Sequence, residues 1–128
     1  MADAPIGPPP RRVLVVDDSS TIRAQIVECL EGYAGCIEAA DGREGLARLR
    51  AERPDAVLTD LEMPVMDGVS LLREARADPA LRDVPFIVIT TVTAVEVFNE
   101  CRALGCAGFV LKPVNRDYLL AKLRRLLR

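Results

Sequence analysis

Five short apolar runs, each followed by a segment with helical spacing, constrain this chain more than any other feature. Val13-Leu14-Val15-Val16 opens the series, and Cys36-Ile37 begins a weaker run ending in Ala39-Ala40. Ala56-Val57-Leu58-Thr59, Phe86-Ile87-Val88-Ile89 and Gly108 to Leu111 follow. Runs that are continuously apolar suit strands covered on both faces, as in a parallel sheet. They start near residues 12, 35, 55, 85 and 107. Spacings of about 20 to 30 residues are what a strand, a crossover helix and a parallel return require. Five such units with right-handed crossovers predict an α/β fold, a doubly wound five-stranded parallel sheet with helices on both faces. The 128 residues, half of them hydrophobic, suffice for one such core. The domain is expected over residues 12–128, after a Pro-rich extended leader over 1–11, with no second domain and no internal repeat.

The segments between the runs carry helix signals. Ser19 or Ser20 can cap a first helix with Ile22, Ile26, Cys29 and Leu30 on its apolar face. Asp41-Gly42 opens a second helix with Leu46 and Leu49, and Pro54 stops it. After the turn-rich Pro64 and Asp67-Gly68, a third helix carries Val69, Leu72 and Ala75. Leu119, Leu120, Leu123, Leu126 and Leu127 are expected on one broad face of the last helix. Of the fourteen residues from Val84 to Val97, ten are β-branched. Such side chains are stiff and poor at starting helices, so the fourth helix is expected to begin late, near Ala94 or Val95.

Composition narrows the chemistry. Histidine is absent, which removes Ser-His-Asp and Cys-His mechanisms, His-metal ligation and a phosphohistidine carrier role. With no tryptophan, two tyrosines and three phenylalanines, a base-stacking platform is not expected. The net charge of −2 does not describe a nucleic-acid-binding surface. No apolar run approaches the roughly 20 residues needed to span a bilayer, and no secretion signal is visible. Cys29, Cys36, Cys101 and Cys106 lack metal or redox spacing and are expected to be reduced, small core residues in a cytoplasmic setting.

In open parallel sheets, ligands bind beyond the carboxyl ends of the strands. Here the first run ends in Asp17-Asp18, the third in Asp60, the fourth in Thr90 and the fifth in Lys112-Pro113. The second offers only the helix-capping Asp41. Strand order 2-1-3-4-5 would set the four informative ends side by side. Neighbouring strands are about 4.8 Å apart, so three carboxylates would crowd one sheet edge and need a cation. Hard oxygen donors with a watery side suit Mg2+. Together with the Lys112 ammonium and the Thr90 hydroxyl, they could stabilise a phosphoryl group passing onto a carboxylate.

V-L-V-V-D-D-S-S, L-T-D-L-E-M-P-V-M-D-G, I-V-I-T-T and F-V-L-K-P resemble the receiver domain of bacterial two-component response regulators. The likeness runs from about Arg12 to Arg128, with every motif at an expected strand end, and the order 2-1-3-4-5 is that of flavodoxin-like folds. The resemblance implies that Asp60 is the phosphoacceptor. It also implies that Asp17, Asp18, Asp60 and the backbone carbonyl of Glu62 hold Mg2+. Thr90 would hydrogen-bond the phosphoryl group and Lys112 would pair with it. Phe109 would be the switch aromatic, and Pro113 the proline that often follows a cis Lys-Pro bond. The donor would be a phosphohistidine on a sensor histidine kinase or phosphotransfer protein. A downstream partner would read the face made by the fourth helix, fifth strand and fifth helix, with no direct nucleic acid or membrane contact. Two departures stand out. Thr91 occupies a position where alanine or glycine is usual, and is expected to narrow access to Asp60. Phe109 replaces the usual tyrosine, so any switch there works by packing.

Taken singly, each site residue has an ordinary explanation. Asp17-Asp18 could be an acidic helix entry, Asp60 a turn residue, Thr90 a strand former and Lys112 a solvated charge. Phe109 could be plain core, and the side chain of Glu62 is expected to be exposed. Their joint placement at strand ends argues for a site. A phosphatase-like hydrolase with an aspartate nucleophile is the main alternative; Glu62 stands two residues beyond Asp60, where such an enzyme needs a second carboxylate. A flavodoxin-like FMN carrier is a third, disfavoured because Asp17-Asp18 would repel the phosphate. Both a stand-alone regulator and a piece of a longer protein remain open.

Overall fold

A computed structural model describes residues 11–127. Most of the leader expected over 1–11, and Arg128, lie outside the described residues. Ten elements alternate along the chain: β1 (Arg12–Val16), α1 (Ser20–Cys29), β2 (Gly35–Ala39), α2 (Gly42–Glu52), β3 (Ala56–Thr59), α3 (Gly68–Ala77), β4 (Phe86–Thr90), α4 (Val95–Ala103), β5 (Gly108–Leu111) and α5 (Arg116–Leu126). All strand pairs are parallel, in the order β2-β1-β3-β4-β5. This is the flavodoxin-like arrangement expected from the sequence, and the reversal of order between β1 and β3 opens the crevice where ligands bind.

Alternate residues of the buried strands feed two cores. Val13, Val15, Leu58, Ile87, Ile89 and Val110 pack against α1 and α5. Leu14, Val16, Val57, Phe86 and Val88 pack against α2, α3 and α4. Continuous apolar runs mark β1, β3 and β4, which are covered on both faces, whereas the edge strands β2 and β5 are only partly buried.

Helix starts follow side-chain caps. Ser19, Asp41, Asp67 and Asn115 accept hydrogen bonds from Ile22, Glu44, Ser70 and Tyr118 N–H groups. By contrast, α4 starts at Val95, as late as its β-branched approach predicts, and Ala94 gives it no side-chain cap. Three expectations need correction. Leu126 is 38% exposed, although Leu123 one turn earlier is fully buried. Leu127 is only half-buried against the second core. Of the cysteines only Cys101 is buried; Cys29, Cys36 and Cys106 lie at core margins, and all four are free thiols.

Candidate functional site

Asp17 and Asp60 sit one residue beyond β1 and β3, and the sheet's own hydrogen bonding fixes both. The Asp17 N–H donates to the Ala39 carbonyl at 3.1 Å, and the Asp60 N–H donates to the Val16 carbonyl at 2.9 Å. Ladder bonding thus continues past the strand ends and aims the two side chains over the sheet edge. Asp17 Oδ1 accepts from the Ser19 N–H at 2.9 Å, folding the turn that lets Ser19 cap α1. Asp60 Oδ1 accepts from the Leu61 N–H at 2.7 Å. Lys112 follows β5, and its N–H donates to the Thr90 carbonyl at 3.1 Å. Its Nζ bridges Asp17 Oδ2 at 2.8 Å and Asp60 Oδ2 at 3.0 Å.

One carboxylate oxygen each from Asp17, Asp18 and Asp60 lies within 4.8 Å of the others. Asp17 is 1% exposed and Asp60 8%, while Asp18 faces solvent. Like charges this close repel, and burial strengthens the repulsion. Burial is the largest single influence on Lys112 and pushes its pKa down. Hydrogen bonds to Asp17 and Asp60, with their charges, outweigh it, so the ammonium titrates above its ordinary value. Three hard oxygens with an open side at Asp18 could hold a metal ion, and the donor set fits a cation that keeps part of its water shell.

Thr90, fully buried, ends β4 beside this cluster. Its hydroxyl oxygen accepts from the Val92 N–H at 3.1 Å, which leaves its proton available for donation. Thr91 points out to solvent. The Glu62 side chain is exposed and outside the acidic cluster, so only its backbone carbonyl can serve as the sequence reading requires. Phe109 is half-buried, 4.7 Å from the Phe98 ring between centroids, with the Arg102 guanidinium 5.7 Å from its own. The Lys112–Pro113 peptide bond is cis. Phe98, Arg102, Phe109, Leu111, Pro113 and Tyr118 line a groove of about 540 Å³ along α4, β5 and α5.

Four features lay beyond the sequence reading. Arg23 of α1 donates to the Asp17 carbonyl at 2.6 Å and pairs with Glu38 of β2 at 3.1 Å. Gly68 lets α3 approach the β3 end so closely that a Cβ there would lie 2.1 Å from the Asp60 carbonyl oxygen. The Gly42 N–H donates to the Met66 carbonyl at 2.9 Å, fastening α2 to the loop after Asp60. That loop turns through Val65 at φ 71, with the Met66 N–H donating to the Pro64 carbonyl at 2.7 Å. Pro64, Asp67-Gly68 and Asp41-Gly42 marked the turns and helix starts involved, but not these contacts.

The sheet edge thus carries three clustered acids, two of them bridged by one lysine, on the flavodoxin-like strand order. The chain belongs to the response regulator receiver domain family, whose model matches residues 13–124. It is 34% identical over 117 residues to the chemotaxis protein CheY of Pseudomonas aeruginosa, covering 90% of this chain and 94% of that one. The structure of CheY4 from Vibrio cholerae superposes with a TM-score of 0.86 at 36% identity, covering 93% of this chain and 100% of that one. A CheX–CheY–BeF3–Mg2+ complex from Borrelia burgdorferi also superposes, with a TM-score of 0.86 at 26% identity, covering 93% and 90% of the two chains. The chain is a signalling domain of two-component systems and not a conventional enzyme, which leaves the phosphatase-like alternative unfavoured. Among the described residues, no helix is long and apolar enough to cross a membrane.

Proposed function

We infer that Asp60 accepts a phosphoryl group from a phosphohistidine on a sensor kinase or phosphotransfer protein, in the cytoplasm. The observation that carries this reading is the Lys112 ammonium bridging Asp17 and Asp60 beside Asp18, at the carboxyl edge of the sheet. The P–N bond of the donor breaks, a P–O bond to the Asp60 carboxylate forms, and the departing imidazole takes its proton from solvent. Mg2+ held by Asp17, Asp18, Asp60 and the Glu62 carbonyl would neutralise charge on the transferring phosphoryl oxygens. The Borrelia complex, which carries BeF3 and Mg2+, supports that choice of ion.

Lys112 donates to Asp60 Oδ2 before transfer and pairs with the new dianion after it. Thr90 turns its hydroxyl proton toward the phosphoryl group. The side chain is drawn inward as it does so, and the space it leaves lets Phe109 turn in, away from Phe98 and Arg102, which re-packs the groove along α4, β5 and α5 for a protein partner.

Incubation with acetyl phosphate and MgCl2, followed by intact mass, tests the reading. One adduct of about 80 Da is expected, the mass gained with one phosphoryl group, and it should vanish in Asp60→Asn. An adduct that persists in Asp60→Asn would refute the assignment.

A further inference from the structure

Asp17 and Asp18 belong to a turn outside β1, where their mutual repulsion and that of Asp60 work to spread it. Lys112 restrains the carboxylates of Asp17 and Asp60, and the Ala39 carbonyl holds the Asp17 N–H, but the Asp17 carbonyl, on the peptide that leads to Asp18, needs an anchor of its own. Arg23 supplies one. It lies on the second turn of α1 with its side chain only 17% exposed. Its Nη1 donates to the Asp17 carbonyl at 2.6 Å, while Nε pairs with Glu38 at 3.1 Å. Glu38 stands on β2 opposite Val15 of β1. One planar guanidinium thus joins α1, the edge strand β2 and the turn bearing two of the three clustered acids.

We propose that Arg23 is a positioning residue for the cation site, holding the Asp17-Asp18 turn through the Asp17 carbonyl while Glu38 aims the guanidinium. The proposal rests on reading the acidic triplet as a Mg2+ site. Two effects of Arg23 on that ion oppose each other. Its positive charge repels a divalent cation, so removing it could tighten binding. Its hydrogen bond fixes the geometry of Asp17 and Asp18, so removing it loosens the site. The ion pair with Glu38 decides between them. At 3.1 Å the two charges act on the cluster as a dipole, which falls off faster than a lone charge. Geometry therefore wins, and the loss belongs to the class of outer-shell changes that weaken metal sites about tenfold or more.

Calorimetric titration of the full chain with MgCl2, without phosphodonor, tests this alongside thermal melting of each variant. Arg23→Gln and Arg23→Lys should each weaken Mg2+ binding about tenfold; lysine keeps the charge but not the planar two-way fork. Glu38→Gln, which leaves Arg23 in place, should weaken it by a smaller factor. Phosphorylation by acetyl phosphate should need correspondingly more MgCl2 for half-maximal rate, while the rate at saturating MgCl2 recovers. Unchanged or tighter Mg2+ binding in Arg23→Gln would overturn the proposal, as would wild-type affinity in Arg23→Lys, which would assign the role to charge alone. Should Arg23→Gln not fold, unchanged affinity in Glu38→Gln overturns it. No Mg2+ uptake by the unaltered chain overturns the cation-site reading and this proposal with it, whereas uptake that ignores Arg23 overturns the proposal alone.

Discussion

Replacing Gly68 with alanine should damage stability and phosphorylation together, because the methyl group has nowhere to go. It would lie 2.1 Å from the Asp60 carbonyl oxygen, 2.9 Å from Leu61 Cα and 3.0 Å from the Asp60 carbonyl carbon. All three are backbone atoms, so no side chain can swing aside. A non-bonded carbon and oxygen ordinarily stay about 3.3 Å apart, so the N-terminus of α3 must retreat by roughly 1 Å. Overpacking of this kind costs about 1–3 kcal/mol, and a backbone clash belongs at the upper end. Alanine returns at most about 1 kcal/mol through its better helix propensity, and less than that in a first turn. A net destabilisation of about 2–3 kcal/mol is expected. Gly32→Ala is the comparison. Nothing lies within 4 Å of its added Cβ, so only its φ of 81 opposes the change, at a cost of about 1 kcal/mol. Urea unfolding of both variants gives the ranking through the midpoint at constant slope. The Gly68 N–H also donates to the Leu61 carbonyl, so the displacement reaches Asp60 directly and should slow acetyl-phosphate labelling. If Gly68→Ala is no less stable than Gly32→Ala and labels at the wild-type rate, the close approach of α3 to Asp60 is wrong.

Two other outcomes follow from the packing. Burial, and then the neighbouring Cys106, pushes Cys101 up to about 11, while burial and then Glu38 pushes Cys36 up to about 11. Unfolded thiols ionise near 8.5, so the unfolded state loses its protons first as pH rises. Stability from these thiols is therefore complete below that value and is lost as pH climbs toward 11; the loss should be shallower in Cys101→Ala and Cys36→Ala when urea midpoints are followed with pH. Arg76 of α3 donates to the carbonyls of Leu104, Val84 and Gly105 at 2.8, 3.0 and 3.2 Å and lies over the Phe86 ring. Arg76→Met keeps the apolar stem but removes these charged donors, so a loss of about 2–3 kcal/mol is expected. Hydrogen exchange should quicken at the Gly105 and Cys106 amides, which close the end of α4, and unchanged protection there would refute the clamp.

Much of the site was legible because it is built by position along the chain. Asp17, Asp60, Thr90 and Lys112 each stand at or just after an apolar run, so the sheet that the runs dictate also delivers the side chains to one edge. The same residues put β2 at an edge, since that leaves the four informative ends adjacent; the order 2-1-3-4-5 meets this condition, and the motifs' resemblance to receiver domains selected it. What could not be read was contact between elements. Arg23 and Glu38 are unremarkable in sequence, and their pairing exists only once β2 lies beside β1 under α1. The turn at Val65 was equally silent, because a β-branched residue at φ 71 breaks local preference and is held by its surroundings. Helical spacing placed Leu126 with Leu119 and Leu123, but spacing alone does not say how far along a helix its apolar face stays covered. The late start of α4 was legible because stiffness at the Cβ atom acts locally.

The two cores deserve a last consequence. Phe109 and Val97 pack on the side of α2, α3 and α4, whereas Val110, Leu119 and Leu120 pack on the side of α1 and α5. Among the described residues, no apolar side chain belongs to both compartments; the strand backbones form a diaphragm between them. A change at the sheet edge that moves Phe109 therefore disturbs the compartment of α2, α3 and α4 first, and reaches α5 only along the groove that the two share at β5.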